Sequence, residues 1–191
     1  EAWVVSGAPT GGGNYTATSE NWNGTTWTNS SANIIARGSC FGDGSLTEGW
    51  VTGGQKATGV SGTLLTTEHY DGTTWSAGAS ITEQRNSGTG GGFGDRYNSG
   101  FVGGYNGSAK VSTLSLYKGI AWSTGTSIAQ IQSYNTGAGT PQNAMTALGT
   151  GNTEHSNSGT YTPKNSQTYN GTSWTITGAL TRGRTVGTGG N

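Results

Sequence analysis

Charge is scarce in this 191-residue chain: nine basic residues balance nine acidic ones, and charged residues are 9% of the sequence. A net charge of zero lacks the basic footprint that phosphate contacts demand, so nucleic acid is not an expected partner. Cysteine occurs once, at Cys40, so no internal disulfide can staple the fold. No apolar run approaches the ~20 residues of a membrane helix, and membrane insertion is not expected. No secretory signal pattern is visible, and the first residue is Glu1, which points to a processed or excised chain or to part of something longer. Leu, Ile, Val and Phe are few enough to raise the question of disorder, but the disorder signature also needs a high net charge, which is absent.

Aromatics and glycine are plentiful, with seven tryptophans, eight tyrosines and 37 glycines. Each buried aromatic removes about 150–250 Å² from water, so a few can stand in for many aliphatics. They are also periodic. One phrase recurs four times: "ENWNGTTW" (20–27), "EHYDGTTW" (68–75), "SLYKGIAW" (115–122) and "QTYNGTSW" (167–174). Its tryptophans, Trp27, Trp75, Trp122 and Trp174, are spaced 75−27=48, 122−75=47 and 174−122=52 residues apart, the period of a propeller blade. Ten residues after each tryptophan come Arg37, Arg85, Gln132 and Arg184. Segments ending in small residues fall between: "AWVVSG" (2–7), "GWVTGG" (49–54), "GFVGGY" (100–105) and "AMTALG" (144–149).

Each period divides into four short strands, with X-Gly as a hairpin turn between the third and fourth. No segment of helical period and length interrupts them. The expected fold is all-β: a four-bladed β-propeller of four-stranded antiparallel blades in one domain, residues 1–191. Blade 1 is 1–34 plus 182–191, blade 2 is 35–82, blade 3 is 83–129 and blade 4 is 130–181. The chain opens in a second strand and ends in a first strand, "RGRTVGTGGN" (182–191), so the C-terminal strand is expected to pair into the N-terminal blade and close the ring. The four tryptophans are expected to be buried between blades.

The doubled glycines (Gly53–Gly54, Gly103–Gly104), the following tyrosines (Tyr70, Tyr117, Tyr169, with Trp22 in the first period), the tryptophan and the arginine resemble the kelch repeat over essentially the whole chain. In the fourth period "GTG" (149–151) stands where the glycine pair is expected, and Gln132 replaces arginine. The Gly/Thr/Ser/Asn-rich style also resembles kelch-like repeats in virion and tail-appendage proteins of aquatic bacteriophages. That resemblance implies a propeller used for structure or adhesion on a virion or other extracellular surface. It also implies a mainly structural role for the repeated arginine, bonded to neighbouring backbone.

The residues that could carry chemistry are few, and no catalytic constellation emerges. Asp71 sits in a hairpin turn, and Asp43 and Asp95 recur in "FGDG" (41–44) and "FGDR" (93–96), where turn use is the expected role. Glu20 and Glu68 occupy equivalent strand positions. His69 and His155 have no second His or Cys nearby, so no metal and no cofactor is expected. Cys40 reads as a small buried thiol. The glycines of "GTGGGFG" (88–94) lack the Lys and helix of a phosphate loop.

Binding remains. The loops after the second strands, 8–16, 55–62, 105–110 and 150–166, vary most and carry Tyr15, Tyr105 and Tyr161. Tyrosine offers an apolar face and a hydroxyl suited to a sugar or a protein partner. Arg37, Arg85 and Arg184 surround the axis either as structural cations or as a polar pocket for a sugar or anion. The expected function is a non-enzymatic binding or structural module with a glycan or protein partner. A lectin with one sugar site per blade is the alternative, and a kelch-type copper oxidase is a third, weaker reading. Sequence leaves open the oligomeric state, and whether one chain or two complete the ring.

Overall fold

The computed structural model describes residues 2–8, 14–56, 62–86, 92–147, 149–151 and 164–182. These residues form strands and turns, with no helix among them. The first sheet is β1 (Ala2–Gly7), β2 (Thr16–Trp22) and β3 (Trp27–Ser30), antiparallel and in that order. Next come β4 (Arg37–Gly38), β5 (Phe41–Gly44), β6 (Gly49–Thr52), β7 (Gln55–Lys56), β8 (Thr67–Tyr70) and β9 (Trp75–Ala77). Of these, β5-β6-β8-β9 make the second sheet and β4 pairs β7 as a separate ribbon. The third sheet is β10 (Gly92–Gly94), β11 (Asn98–Val102), β12 (Leu114–Lys118) and β13 (Trp122–Gly125). The last strands are β14 (Gln132–Ser133), β15 (Thr136–Thr140), β16 (Asn143–Ala147), β17 (Thr150–Gly151), β18 (Asn165–Tyr169) and β19 (Trp174–Ala179). The fourth sheet is β15-β16-β18-β19, and β14 pairs β17. The described residues are thus all-β, with three four-stranded antiparallel sheets, one of three strands and two two-stranded ribbons, a propeller-like arrangement.

The recurrent phrase is the outer hairpin of each sheet. Its aromatic and its tryptophan face each other across the strands: Trp22 opposite Trp27, Tyr70 opposite Trp75, Tyr117 opposite Trp122 and Tyr169 opposite Trp174. Four residues, not two, connect each pair. X-Gly is the first half of the loop, and its glycine takes a positive φ, as at Gly72 (94°). In three loops the X side chain closes the turn: Asn23, Asp71 and Asn170 each accept two backbone N–H groups from the residues two and three positions on. Lys118 cannot do this. The tyrosine is specified by a further bond. Tyr70, Tyr117 and Tyr169 each donate their hydroxyl to the carbonyl of the loop glycine, at 2.9, 2.8 and 2.9 Å.

Sheets stack through a repeated knob and gap. Trp3 of the first sheet meets Trp75 of the second at 5.8 Å between ring centroids, and Trp50 meets Trp122 of the third at 5.7 Å. The gap exists because the facing strands carry glycine: a Cβ on Gly92 would come 3.0 Å from the Trp50 ring. At the third junction Phe93, Val102 and Leu114 pack with Tyr169 and Trp174. Strand β10 packs against both β5 and β15, so the first strands of successive sheets lie side by side.

Nearest these inner strands the sheets are joined by backbone. Gly54 N–H donates to the Arg85 carbonyl at 2.7 Å, and Gly104 N–H to the Gln132 carbonyl at 2.8 Å. The preceding glycines make this approach possible. A Cβ on Gly53 or Gly103 would sit 2.5 or 2.3 Å from those same carbonyl oxygens, and both have positive φ. In the fourth sheet Gly149 plays the part of the second glycine, with a Cβ position 2.5 Å from the Ser133 oxygen, as Gly54 has 2.6 Å from Gly38. The expected "GTG" therefore begins at that second glycine.

Burial of the four tryptophans holds for three. Trp75, Trp122 and Trp174 are 9%, 6% and 9% exposed, whereas Trp27 is 48% exposed. Trp27 and Val4 lie on the face of the first sheet that turns away from the second, and no sheet of the described residues covers it. Met145, on the opposite outward face of the fourth sheet, is also exposed. The expected closing strand, 182–191, lies outside the described residues beyond Arg182.

Trp122 also donates its indole N–H to Thr67 at 2.9 Å. Replacing Trp122 by Ala should cost about 3–5 kcal/mol in urea unfolding, and Trp27→Ala under about 1 kcal/mol. Equal losses would contradict the open face of the first sheet.

Candidate functional site

Arg37 and Arg85 are fully buried. Arg37 donates to the carbonyls of Gly53 and Thr66 at 2.9 Å each, and pairs with the buried Glu68 carboxylate. Arg85 donates to Gly103 and Thr113 at 2.9 and 3.1 Å, and pairs with Glu83 at 2.7 Å. Burial holds the Arg85 guanidinium below its usual range, with Glu83 opposing that shift. Both guanidinium groups are thus turned to neighbouring backbone and a carboxylate, with the Nε of each left without a partner among the described residues. Arg184 lies outside the described residues.

The fourth sheet replaces this ion pair with amides. Gln132 occupies the arginine position, and Gln167 the Glu68 position. Glu68 accepts from the backbone N–H groups of Ile34 and Ile35 in the chain entering its sheet. Gln167 does the same for Ala129 and Gln130. Charge has been removed from both partners together, as the cost of one unpaired buried charge requires. Arg37→Gln or Glu68→Gln alone should destabilise by about 3–5 kcal/mol, whereas the double variant should cost clearly less than their sum in chemical denaturation.

Described residues at the ends of the loops after the second strands come together between the sheets. Tyr15 packs over Gly38, its ring 2.1 Å from where a Cβ would stand, and donates its hydroxyl to Gln55 Oε1 at 3.2 Å. At the next junction Asn86 and Tyr105 exchange two backbone hydrogen bonds of 2.9 Å, and Asn86 Nδ2 donates to Thr63 Oγ1 at 3.0 Å. Gln84 Nε2 donates to the Asn106 carbonyl at 2.9 Å, and Asn106 Nδ2 to Glu83 Oε1 at 2.9 Å. Here a half-open pocket of about 240 Å³ is lined by Gln55, Gly62, Thr63, Gln84, Asn86, Tyr105 and Gly107.

Of the residues singled out by sequence, Tyr105 lines this pocket. Tyr15 stands one junction away, joined to it through Gln55, and Tyr161 lies outside the described residues. Sequence reasoning missed Gln55, Thr63, Gln84 and Asn86. A signal existed: Gln84 and Asn86 flank the repeated arginine, and Gln55 and Tyr105 directly follow the doubled glycine. The ribbon pairing that brings these two marks together is tertiary.

Elsewhere the titratable groups are isolated. Among the described residues no three of His, Cys, Asp and Glu come together as a metal site. Burial pushes the Cys40 thiol up and the His69 imidazole down, so neither is readily charged. His69 lies edge-on to Tyr117 at 5.0 Å.

The two FGD aspartates are not equivalent. Asp95 accepts from the N–H groups of Tyr97 and Asn98, a task that Ser45 performs in the second sheet. Asp43 instead lies within β5 opposite Trp50, the place Phe93 takes opposite Gly100 in the third sheet. Desolvation there pushes its pKa up to about 6, against the N–H groups of Gly44 and Gly94, which lower it. Between the ordinary 3.8 and about 6 the folded chain therefore holds a proton that the unfolded chain has lost. The stability tied to that proton is complete below pH 3.8 and disappears as pH rises through about 6. Asp43→Asn should accordingly raise the melting temperature more at about pH 7.5 than at about pH 4; the same gain at both would contradict the assignment.

No protein-family model matches the chain, and no curated protein matches it. Among solved structures, one described as the structure of YjhT is similar, with a TM-score of 0.75 over 97% of this chain and 70% of that one. Sequence identity is 11%, so the likeness is one of fold.

Proposed function

We propose that this chain is a non-enzymatic binding or structural module of an extracellular surface, as in a virion or tail appendage, and that it presents its loop face to a glycan or protein partner. The observation that carries the reading is the pocket between the second and third sheets. It is polar and lined by residues that follow the doubled glycines or flank the repeated arginine. The kelch-like repeat pattern and the abundance of Gly, Thr, Ser and Asn support the surface setting.

The same reading completes the architecture as a four-bladed propeller. Among the described residues the first sheet has three strands where the three large sheets have four, and the position without a strand is the inner one. Residues 182–191 would supply that strand and close the ring. Closure would cover Val4, Trp27 and Met145, so a closed ring predicts a Trp27→Ala loss well above the ~1 kcal/mol of an open face, and the same urea unfolding decides between the two.

A screen of glycans and surface proteins with purified protein of known mass tests the function. Tyr105→Ala should weaken specific binding by at least about tenfold while leaving the melting temperature within a few degrees, as expected for a half-buried contact residue. A folded wild-type protein that binds nothing would leave only a scaffold whose contacts are with its own particle. Binding that Tyr105→Ala leaves intact would remove the pocket from the interface.

A further inference from the structure

We propose that the pocket between the second and third sheets takes one uncharged sugar residue, held by the side chains of Gln55, Gln84 and Tyr105. This rests on the binding-module reading and makes it specific. The volume, about 240 Å³, is below the ≈ 300–1,000 Å³ of drug-sized pockets and suits a single ring. None of the seven lining residues is ionisable near neutral pH, and five carry polar side chains. An acidic sugar would need a cation. Arg85 is buried and already engaged by two carbonyls and Glu83, and Lys56 and Lys110, which neighbour Gln55 and Tyr105 on the backbone, do not line the pocket.

The unused hydrogen-bonding groups favour hydroxyls. Gln55 has its oxygen occupied by Tyr15, which leaves its nitrogen as a donor. Gln84 has its nitrogen occupied by the Asn106 carbonyl, which leaves its oxygen as an acceptor. The Tyr105 hydroxyl makes no bond to a described residue and can do either. Sugar hydroxyls both donate and accept, so they can meet all three. The two amides are already oriented by their protein partners, which lowers the entropy lost on binding.

Among the described residues the site occurs once, because the repeat varies at these positions. Ala36 and Ile131 replace Gln84 before Arg37 and Gln132, and Gly38 and Ser133 replace Asn86. At the first junction the Tyr15 ring lies over Gly38. One site per chain is therefore expected, not one per blade.

The test is a titration of ¹⁵N-labelled protein with methyl glycosides of glucose, galactose, mannose and N-acetylglucosamine, beside glucuronic and sialic acids, followed by amide chemical shifts. A neutral glycoside should give saturable shifts centred on Gln55, Thr63, Gln84, Asn86 and Tyr105, with a Kd near millimolar and a stoichiometry of one. Gln84→Leu and Tyr105→Phe, each checked for wild-type spectral dispersion, should weaken it about tenfold or more. Preference for the acidic sugars, shifts centred elsewhere, or no shift up to about 50 mM would each overturn the inference. Running the surface-partner screen on the same preparation separates the two failures. Partner binding without sugar binding overturns only the sugar assignment, and loss of both overturns the module reading.

Discussion

The structure depends on how closely the sheets can approach near their inner strands. Backbone of one sheet hydrogen-bonds backbone of the next, at Gly54 to Arg85 and at Gly104 to Gln132. No side chain fits there: a Cβ on the preceding glycine would sit about an ångström inside van der Waals contact with the carbonyl it passes. The doubled glycine is thus a packing requirement first and a conformational one second. Further out the same sheets diverge, and the widening gap must be filled. Trp3, Trp50, Trp75, Trp122 and Trp174 fill it, so a chain with few aliphatic residues still builds three buried clusters.

Between the crowded inner strands and the aromatic outer layer lie the arginines. Their guanidinium groups bond carbonyls at the end of the second strand and just before the third, which ties each sheet's entering segment to its middle. The carboxylate that completes the arrangement comes from β8 for Arg37 and from the entering loop for Arg85; in the fourth sheet Gln167 keeps the bonds to the entering chain, and the Gln132 side-chain amide makes none among the described residues. The guanidinium groups turn to carbonyls and carboxylates and none of the lysines lines the pocket. This is why the chemistry exposed there is that of amides and hydroxyls.

The repeat was legible because it is written in residue types with no substitute. Only glycine fits at Gly53 and Gly103, and a tyrosine hydroxyl alone spans from strand end to hairpin carbonyl at Tyr70, Tyr117 and Tyr169. Strand order and the outer hairpins therefore followed from spacing. Two details did not. Asp43 and Asp95 share a tripeptide but differ in register by two residues, so one lies in a strand and the other in a turn. Trp27 shares its phrase with three buried tryptophans but faces outward, because burial depends on a neighbouring sheet that local sequence cannot supply.

The candidate site shows the same division more sharply. By itself the sequence determined the four-strand period, the hairpins, the positions of the glycines and arginines, and the set of variable loops on which Tyr15 and Tyr105 are carried. Each of these follows from local sterics and hydrogen bonding within about fifty residues. Tertiary structure alone decided that Gln55 and Thr63 of one repeat would face Gln84, Asn86 and Tyr105 of the next across a pocket. It also decided which amide group at each glutamine stays unused. The physical reason is that a pocket between repeats is made by residues whose relation is set by sheet-to-sheet packing, and that relation leaves no mark in the spacing of either repeat.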